Sequence, residues 1–191
     1  MPGEIFLIRH GETAWSLSGQ HTSHTDLPLT DDGRRRAAAL GAKLGGHEFA
    51  LVLSSPMRRA LETARLAGYD AVIDPNLHEW DYGAYEGLTS DDIHKTSPGW
   101  TIWTGTPPGG ESAEQVGARA DRIIERALGA IAREEGDVAL FGHGHMLRVL
   151  AARWLELTPD AGKLFALDTG SVSVLGWERT ARVLRTWNQV P

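Results

Sequence analysis

Two histidine–glycine pairs each follow a short apolar run. The sequence Leu-Ile-Arg-His-Gly-Glu-Thr begins at Leu7 and contains His10, and a second pair begins at His143 after the apolar sequence Val-Ala-Leu-Phe. In open α/β sheets, ligands bind outside the carboxyl ends of the strands. Arg9 adds a planar guanidinium, which binds phosphoryl oxygens in pairs. The two motifs therefore predict one anion-binding site for phosphoryl groups.

His10 is the candidate nucleophile of this site. A neutral imidazole attacks phosphorus well, and a nearby cation such as Arg9 disfavours the imidazolium form. Gly11, Thr13 and Ser16 follow in a polar loop that can offer amide and hydroxyl donors. The alternative is that His10 is a structural hydrogen-bonding residue, which is the more common role of a lone histidine after a strand.

A pair of adjacent arginines, Arg58 and Arg59, follows the next apolar run, in the sequence Ser-Ser-Pro-Met-Arg-Arg. An arginine in the first turn of a helix joins its charge to the positive end of the helix dipole, which is a good setting for an anion. Arg59 fits that role, although a solvated surface position is the alternative for both arginines. We expect Arg58, and the three arginines at positions 34–36, to be solvated.

A general acid is needed to protonate the departing alkoxide. Glu79 lies in the sequence Leu-His-Glu-Trp-Asp-Tyr-Gly, after the third predicted strand. Trp80 could partly desolvate its carboxyl group and keep some of it protonated near neutral pH. Asp81 is the competing candidate, and the sequence leaves both open.

His143 and His145 could also form a metal-binding pair, but their spacing is weak evidence and no supporting carboxylate pattern is present. A phosphate contact from His143, together with the Gly144 amide at a helix start, is the better interpretation. We therefore expect no metal.

The composition narrows the class of protein. The chain has 191 residues, 41% hydrophobic and 23% charged, which is ordinary for a globular protein. A net charge of −6 argues against a nucleic-acid or anionic-membrane surface, so affinity for an anion must come from a local arginine cluster. Cysteine is absent, which excludes disulfides and thiolate catalysis. The early first strand leaves no room for a signal peptide, and no apolar run is long enough for a membrane span, so a cytoplasmic enzyme is expected.

Short strand-like runs alternate with longer helical patterns, which predicts a three-layer α/β/α fold with a mainly parallel sheet and an antiparallel edge. The predicted strands cover 4–9, 51–53, 71–73, 137–141, 171–177 and 182–187, and the predicted helices cover 30–44, 57–67, 90–95, 111–134 and 146–155. Ser54, Ser55 and Pro56 are expected to cap the second helix and begin it. Residues 1–191 are interpreted as one domain, with the irregular segment 74–110 as a lid or substrate-binding segment.

Four motifs in chain order resemble the histidine phosphatase superfamily, in the branch of cofactor-dependent phosphoglycerate mutases and small-molecule phosphatases. They are Leu-Ile-Arg-His-Gly-Glu-Thr around His10, Ser-Ser-Pro-Met-Arg-Arg-Ala-Leu-Glu-Thr-Ala around Arg59, Glu79 with the following Tyr-Gly and Glu-Gly pairs, and Gly-His-Gly around His143. The resemblance spans nearly the whole chain and implies a phosphoglycerate mutase-like fold.

The resemblance implies that His10 becomes a transient phosphohistidine. It implies that Arg9, Arg59 and His143 bind the phosphoryl oxygens, and that Glu79 protonates the leaving group and then activates water. No metal or other cofactor is expected, because fixed cations do that work. The remaining residues that it implies to line the pocket are Gly11, Ser16, Thr22, Ser23, Tyr82 and Gly144.

The resemblance leaves three functions open. A phosphomonoesterase is favoured over a phosphoglycerate mutase, because the segment after Glu79 is short and Lys95 is its only cation, whereas the mutases carry a lysine and paired arginines there. Ser16 also stands where mutases usually carry asparagine. A non-catalytic protein that binds phosphorylated ligands is the third option. Family members are often dimers, which makes a homodimer an option by analogy alone.

The loop from Ser18 to Thr30 and the sequence Glu-Trp-Asp-Tyr-Gly resemble sedoheptulose-bisphosphatase-type relatives, and similar blocks occur in broad-specificity actinobacterial acid phosphatases. The expected partner is therefore a small phosphorylated metabolite, with a sugar phosphate or bisphosphate favoured. His21, His24 and Trp80 are candidate contacts at the rim of the site. Ordinary packing is the favoured interpretation of the two tryptophans at positions 100 and 103.

Overall fold

The computed structural model describes residues 3–134 and 136–191. Its strands form a six-stranded sheet in the order β3-β2-β4-β1-β5-β6. Their bounds are Ile5–Arg9 for β1, Phe49–Ser54 for β2, Val72–Ile73 for β3, Asp137–Gly142 for β4, Val172–Glu178 for β5 and Ala181–Gln189 for β6. β1, β2, β3 and β4 pair in parallel, whereas β5 is antiparallel to both β1 and β6. The predicted fold class and its antiparallel edge are confirmed.

Strand register brings the predicted chemistry to one edge of the sheet. Arg9 pairs with Gly142, and Ser54 pairs with Phe141 on the other side of β4. His10 and His143, each one residue beyond its strand, consequently leave the sheet side by side.

The helices that surround the sheet are Ala14–Ser18 (α1), Asp31–Leu44 (α2), Arg58–Leu66 (α3), Ser90–Thr96 (α4), Ala113–Glu134 (α5) and Gly144–Trp154 (α6). Three 3-10 helices cover Pro75–Leu77, Gly83–Tyr85 and Pro159–Leu164. α2 has the predicted ends, because the Thr30 hydroxyl accepts the Gly33 amide and Gly45 ends the helix at φ 60°. Within the described residues, no helix combines the length and the apolarity that a membrane crossing requires.

Side chains of the central strands alternate between two hydrophobic clusters, as the pleat requires. In β1, Leu7 belongs to the larger cluster with α5 and α6, and Ile8 belongs to the smaller cluster with α2 and α3. In β4, Leu140 and Phe141 divide in the same way. A sheet with a hydrophobic cluster on each face is the predicted three-layer arrangement.

The predicted start of α3 is wrong. The helix begins at Arg58, and its cap residue Met57 makes no side-chain capping bond. Pro56 therefore precedes the helix instead of occupying its first turn. The Ser55 hydroxyl accepts the Met57 amide at 3.3 Å and contacts His143. Ser55 thus serves the site more than the helix.

The sequence analysis does not predict helix α1, and it predicts a longer strand β3 than the structure has. Helix α1, closed by a capping box between Thr13 and Ser16, has too few residues for a visible hydrophobic period. Strand β3 has only two residues, both exposed, because it forms a short edge of the sheet.

The segment 74–110 is irregular but well packed. Leu77, Trp80, Ile93 and Ile102 are all buried, and most of them join the larger cluster. α4 lies where a weak helix was predicted. The role of the segment 74–110 as a lid, and the interpretation of the chain as one domain, stay predictions.

A glycine–glycine contact holds the loop after His10 against the start of α2. A Cβ atom on Gly11 would lie 2.5 Å from the Gly33 carbonyl oxygen. A Cβ atom on Gly33 would lie 2.8 Å from the Glu12 amide nitrogen and nearer still to the Glu12 carbonyl oxygen. Only the absence of both side chains lets the two backbones approach this closely.

We expect Gly33→Ala to destabilise the protein by about 1–3 kcal/mol, because the methyl group overpacks against the Glu12 backbone. Denaturant unfolding measures this change. Gly129→Ala in α5 is the matched control, since its methyl group meets only the Arg133 side chain, at 3.6 Å. The control should stabilise the helix by up to about 1 kcal/mol. Equal stability of the two variants would contradict the proposed backbone constraint.

Candidate active site

His10 and His143 lie next to each other at the carboxyl edge of the sheet. Their ring centroids are 5.1 Å apart, with the rings inclined at 61°. Both side chains are buried. The structure therefore brings together the two histidines that the sequence places 133 positions apart.

His10 has the hydrogen bonding that a nucleophilic imidazole needs. Its Nδ1 lies 2.7 Å from the Gly11 carbonyl oxygen, so Nδ1 carries the proton and Nε2 keeps its lone pair. Burial lowers the pKa of His10 well below its usual value, and the charges of Arg59 and Arg9 lower it further. The imidazole is consequently neutral, with Nε2 free to attack.

Arg9 extends from the end of β1 into the same cavity. Its Nη1 donates to the Leu167 carbonyl oxygen, while its buried Nε has no hydrogen-bond partner among the described residues. Burial lowers the pKa of Arg9, and the charge of Glu79 opposes that shift. A Cβ atom on Gly144 would lie 3.2 Å from Arg9 Cζ, so glycine lets the start of α6 approach the guanidinium. An unused donor on a buried cation is suited to an anion.

Arg59 lies behind the cavity wall. Its side chain is wholly buried, and burial lowers its pKa. Its Nε donates to His143 Nδ1 at 3.2 Å, and its Nη atoms donate to the carbonyl oxygens of Thr22, Ser23 and Thr25 at 3.1–3.3 Å. This cation fixes the loop 22–25 and the ring of the second histidine.

His143 is neutral and its tautomer is defined by its neighbours. Because Arg59 donates to Nδ1, the proton is on Nε2, which donates to the Ser55 hydroxyl at 2.7 Å. Burial lowers the pKa of His143 well below its usual value, with further lowering by Arg59 and His10. Both ring nitrogens thus have protein partners. A contact with a phosphoryl oxygen would require His143 to exchange one of these hydrogen bonds.

The Glu79 carboxylate is held by the first turn of α6. Its Oε1 accepts the amides of Trp80 and Met146, both at 2.8 Å, and its Oε2 accepts the His145 amide at 3.0 Å. A helix amino terminus offers free amides and a positive dipole end, which suit a carboxylate. Trp80 thus contacts the Glu79 carboxylate through its backbone amide, and its ring is buried.

Arg119 of α5 holds the backbone just before Glu79, and the sequence analysis did not identify it. It forms a two-point ion pair with Glu111, at 2.8 and 2.7 Å. Its Nη1 also donates to the carbonyl oxygens of Asn76 and His78, at 2.7 and 2.8 Å. No local motif marks this arginine, because its partners lie more than 40 positions before it in the chain apart from Glu111.

Asp81, the competing acid, points away from this cavity. One of its carboxylate oxygens accepts the Gly83 amide at 2.8 Å, and the other lies 3.2 Å from His24 Nε2. Of the two candidate acids, Glu79 lines the cavity and Asp81 does not.

The cavity at this edge has a volume of about 450 Å³. The predicted site residues that line it are Arg9, His10, Ser16, Thr22, Glu79, Tyr82 and Gly144. Gly11 and Ser23 lie behind the wall instead. The Gly11 amide donates to Thr63 Oγ1 at 3.0 Å, and the wholly buried Ser23 donates its amide to the Glu86 carboxylate at 2.9 Å.

The outer wall differs in part from the sequence prediction. His21 lines the cavity as predicted, but Trp80 is buried in the core. His24 packs against His78, with the ring centroids 4.6 Å apart and the rings tilted by 35°. Trp100 and Trp103 pack against the core, as favoured, and also line the cavity. His145 and Arg148 also line the cavity, and neither was predicted as a site residue. The four-residue spacing of Gly144 and Arg148 on α6 is the signal that could have identified the arginine.

Three of the four arginines that were expected to be solvated are exposed, and Arg34 is the exception. Arg58 is exposed, as are Arg35 and Arg36, and the half-buried Arg34 pairs with Glu62 at 2.8 Å. Within the part of the chain that the structure describes, no group of three or more His, Cys, Asp or Glu side chains is arranged to hold a metal ion.

Known phosphatases resemble this chain along most of its length. The chain is 43% identical over 183 residues to the acid phosphatase of Mycobacterium tuberculosis, covering 94% of this chain and 89% of the relative. It is 35% identical over 182 residues to the sedoheptulose 1,7-bisphosphatase of Saccharomyces cerevisiae, covering 79% and 67%. A solved structure of an open reading frame from Mycobacterium tuberculosis superposes with a TM-score of 0.94 at 41% identity, covering 98% of both chains. Residues 5–190 match the histidine phosphatase superfamily (branch 1), and the chain belongs to that family.

Proposed function

We propose that this protein is a phosphomonoesterase that hydrolyses small phosphorylated metabolites through a phosphohistidine formed on His10. The observation that carries the proposal is the buried, neutral imidazole with a free Nε2 in a cavity that also holds Arg9 and Glu79. The relatives named acid phosphatase and sedoheptulose 1,7-bisphosphatase support the same reaction class.

In the first step, His10 Nε2 attacks phosphorus as the bond to the ester oxygen breaks. Glu79, entering in its protonated form, gives its proton to the leaving alkoxide. Arg9 and the Gly144 amide at the start of α6 stabilise the charge on the phosphoryl oxygens. These donors are already fixed in place, so little reorganisation is needed. The alcohol departs and the phosphoryl group stays on the imidazole.

In the second step, water attacks the phosphohistidine and Glu79 accepts a proton from that water. The phosphorus–nitrogen bond breaks, and inorganic phosphate and neutral His10 are regenerated. The three amides on the Glu79 carboxylate hold it in place through both steps. This reaction requires no metal and no cofactor in our proposal.

Arg59 and His143 contribute first by position. Arg59 lowers the pKa of His10 and orients His143, and we propose that both contact the phosphoryl oxygens after the His143 hydrogen bonds exchange. Ser16, Thr22 and Tyr82 line the cavity and are the proposed polar contacts to the rest of the substrate.

A sugar phosphate or bisphosphate is the proposed substrate class, and a cytoplasmic location agrees with it. A phosphoglycerate mutase is the alternative, and the position of Lys95 argues against it. This lysine is exposed and pairs with Asp92 at 2.6 Å, away from the cavity. An intermediate without further cations from the segment 74–110 would tend to escape, leaving the phosphohistidine to water.

We expect the purified protein to release phosphate from sugar phosphates and aryl phosphates in the presence of a chelator, without interconverting 3- and 2-phosphoglycerate. His10→Ala should abolish this release, because it removes the imidazole that forms the proposed phosphohistidine beside Arg9 and Glu79. Malachite-green detection of phosphate and a coupled mutase assay measure the two reactions.

Rapid interconversion with little release would establish the mutase instead. Substantial release by pure His10→Ala protein would refute the nucleophile assignment. Binding of phosphorylated ligands without turnover would identify the non-catalytic alternative.

Glu79→Gln should slow hydrolysis of alkyl phosphates by about 10²- to 10⁴-fold, the usual contribution of a general acid. Activated aryl phosphates should lose much less, because their leaving groups need little protonation. The comparison of kcat for the two classes is the measurement, with thermal unfolding as the check on folding. Equal losses would mean that Glu79 acts mainly through its contacts with α6.

A further inference from the structure

Glu86 belongs to one of the four sequence motifs, but the proposed reaction gives it no role. Its side chain is half-buried, and it is not among the described residues that line the cavity. Its Oε1 lies 2.9 Å from the amide nitrogens of both Ser23 and Thr25, and its Oε2 lies 3.0 Å from that of Ser23. Hydrogen bonds to an ionised acceptor are the stronger ones. A carboxylate of the segment 74–110 therefore holds the loop 22–25.

Arg59 holds the same loop from its other side. The Thr22 carbonyl oxygen accepts Arg59 Nη2 at 3.3 Å, and the Ser23 amide donates to Glu86. These two groups belong to one planar peptide unit, and in a trans peptide they point in opposite directions. This unit thus lies between a buried cation and a carboxylate. Both charges polarise it in the same sense, which strengthens both hydrogen bonds.

The end of the loop is attached to the helix that carries Arg59. Asp26 Oδ1 accepts the Arg58 amide at 2.9 Å, at the start of α3. Met57, the cap residue of this helix, makes no side-chain capping bond, so the loop supplies the cap. The loop is consequently held by α3 at its end and by Glu86 along its middle.

We propose that Glu86 is a positioning residue of the phosphoryl site, which holds the loop 22–25 and, through that loop, the guanidinium of Arg59. This inference rests on the proposed function, because Arg59 is one of the proposed phosphoryl-binding groups. It gives the segment 74–110 a role in phosphoryl binding in addition to its place in the cavity wall.

The charge of Glu86 and its hydrogen bonds act in opposite directions on anion binding. A carboxylate near the cavity repels a phosphoryl group, so loss of the charge alone favours binding. Loss of the hydrogen bonds releases the loop and leaves the donors of Arg59 without fixed acceptors, which disfavours binding. Two variants that both lack the charge can therefore isolate the effect of the hydrogen bonds.

The test measures binding of inorganic phosphate by calorimetry to wild-type protein, Glu86→Gln and Glu86→Ala. Glutamine keeps one carbonyl oxygen in the place of Oε1, which accepts the amides of both Ser23 and Thr25, whereas alanine accepts neither. We expect Glu86→Ala to bind phosphate about 10-fold more weakly than Glu86→Gln. Equal affinities of the two variants would overturn the proposal, even if Glu86→Ala unfolds at a lower temperature.

Asp92→Ala is the matched control for Glu86→Ala. Asp92 is another carboxylate of the segment 74–110 that accepts a backbone amide, that of Thr89, but it caps α4 and pairs with Lys95. This variant removes the same charge and should leave the phosphate affinity unchanged. A loss equal to that of Glu86→Ala would mean that any disturbance of the segment weakens phosphate binding, and would refute the specific role of Glu86.

A double-mutant cycle tests whether Glu86 acts through Arg59. Lysine keeps the charge but lacks the guanidinium fork that donates to the loop carbonyl oxygens. In an Arg59→Lys background, Glu86→Ala should therefore weaken phosphate binding much less than in the wild-type background. Equal losses in the two backgrounds would refute the path through Arg59. If Arg59→Lys does not fold, the comparison of Glu86→Ala with Glu86→Gln decides the proposal.

Phosphate binding also separates this inference from the proposed function, because it requires no turnover. If the wild-type protein hydrolyses no phosphate ester, the proposed function fails, and the comparison of the two Glu86 variants still decides the role of this residue. If the protein hydrolyses esters and the two variants bind phosphate equally, the function stands and this inference fails.

Discussion

Arg59 is a buried cation held by neutral acceptors, and the phosphoryl site depends on that arrangement. Burying a charge is unfavourable unless its hydrogen bonds are made, so the carbonyl oxygens of the loop 22–25 and the ring of His143 must stay where they are. With burial, the resulting positive field keeps His10 neutral. Arg9 adds a second buried cation with an unpaired Nε. Two buried cations with Glu79 as the nearby carboxylate are suited to a doubly charged phosphoryl group, as proposed above.

The amino terminus of α6 connects the cations with the acid. Its amides at His145 and Met146 hold the Glu79 carboxylate, while Gly144 lets the Arg9 guanidinium pack against the same turn. One turn of one helix thus positions both the proposed proton donor and the proposed phosphoryl-binding arginine. Arg119 donates hydrogen bonds to the carbonyl oxygens of Asn76, His78 and Glu79. These bonds hold the backbone that carries the Glu79 side chain.

The histidines at strand ends could be placed from the sequence, whereas Ser23 on a loop and Arg148 on a helix face could not. His10 and His143 follow apolar runs that must be adjacent parallel strands, and the sheet brings such ends together. Ser23 belongs to a loop whose path is set by the buried Arg59, and the sequence does not show that its side chain turns inward. Arg148 is one charge on an apolar helix. Its position in the cavity depends on contacts with Trp103 and Gly162, both distant in the chain.

Catalysis and substrate selection are carried by different parts of this cavity. The proposed reacting histidines lie at the ends of β1 and β4, and Glu79 of the segment 74–110 is held beside them by the first turn of α6. These strands and this helix contribute to the hydrophobic core. The outer wall includes the loop 15–22, part of the segment 74–110 and the second turn of α6. Trp103 packs against Gly162 so closely that a Cβ atom on Gly162 would lie 2.7 Å from the ring. Changes in the outer wall can therefore alter which substrates are accepted without displacing the nucleophile.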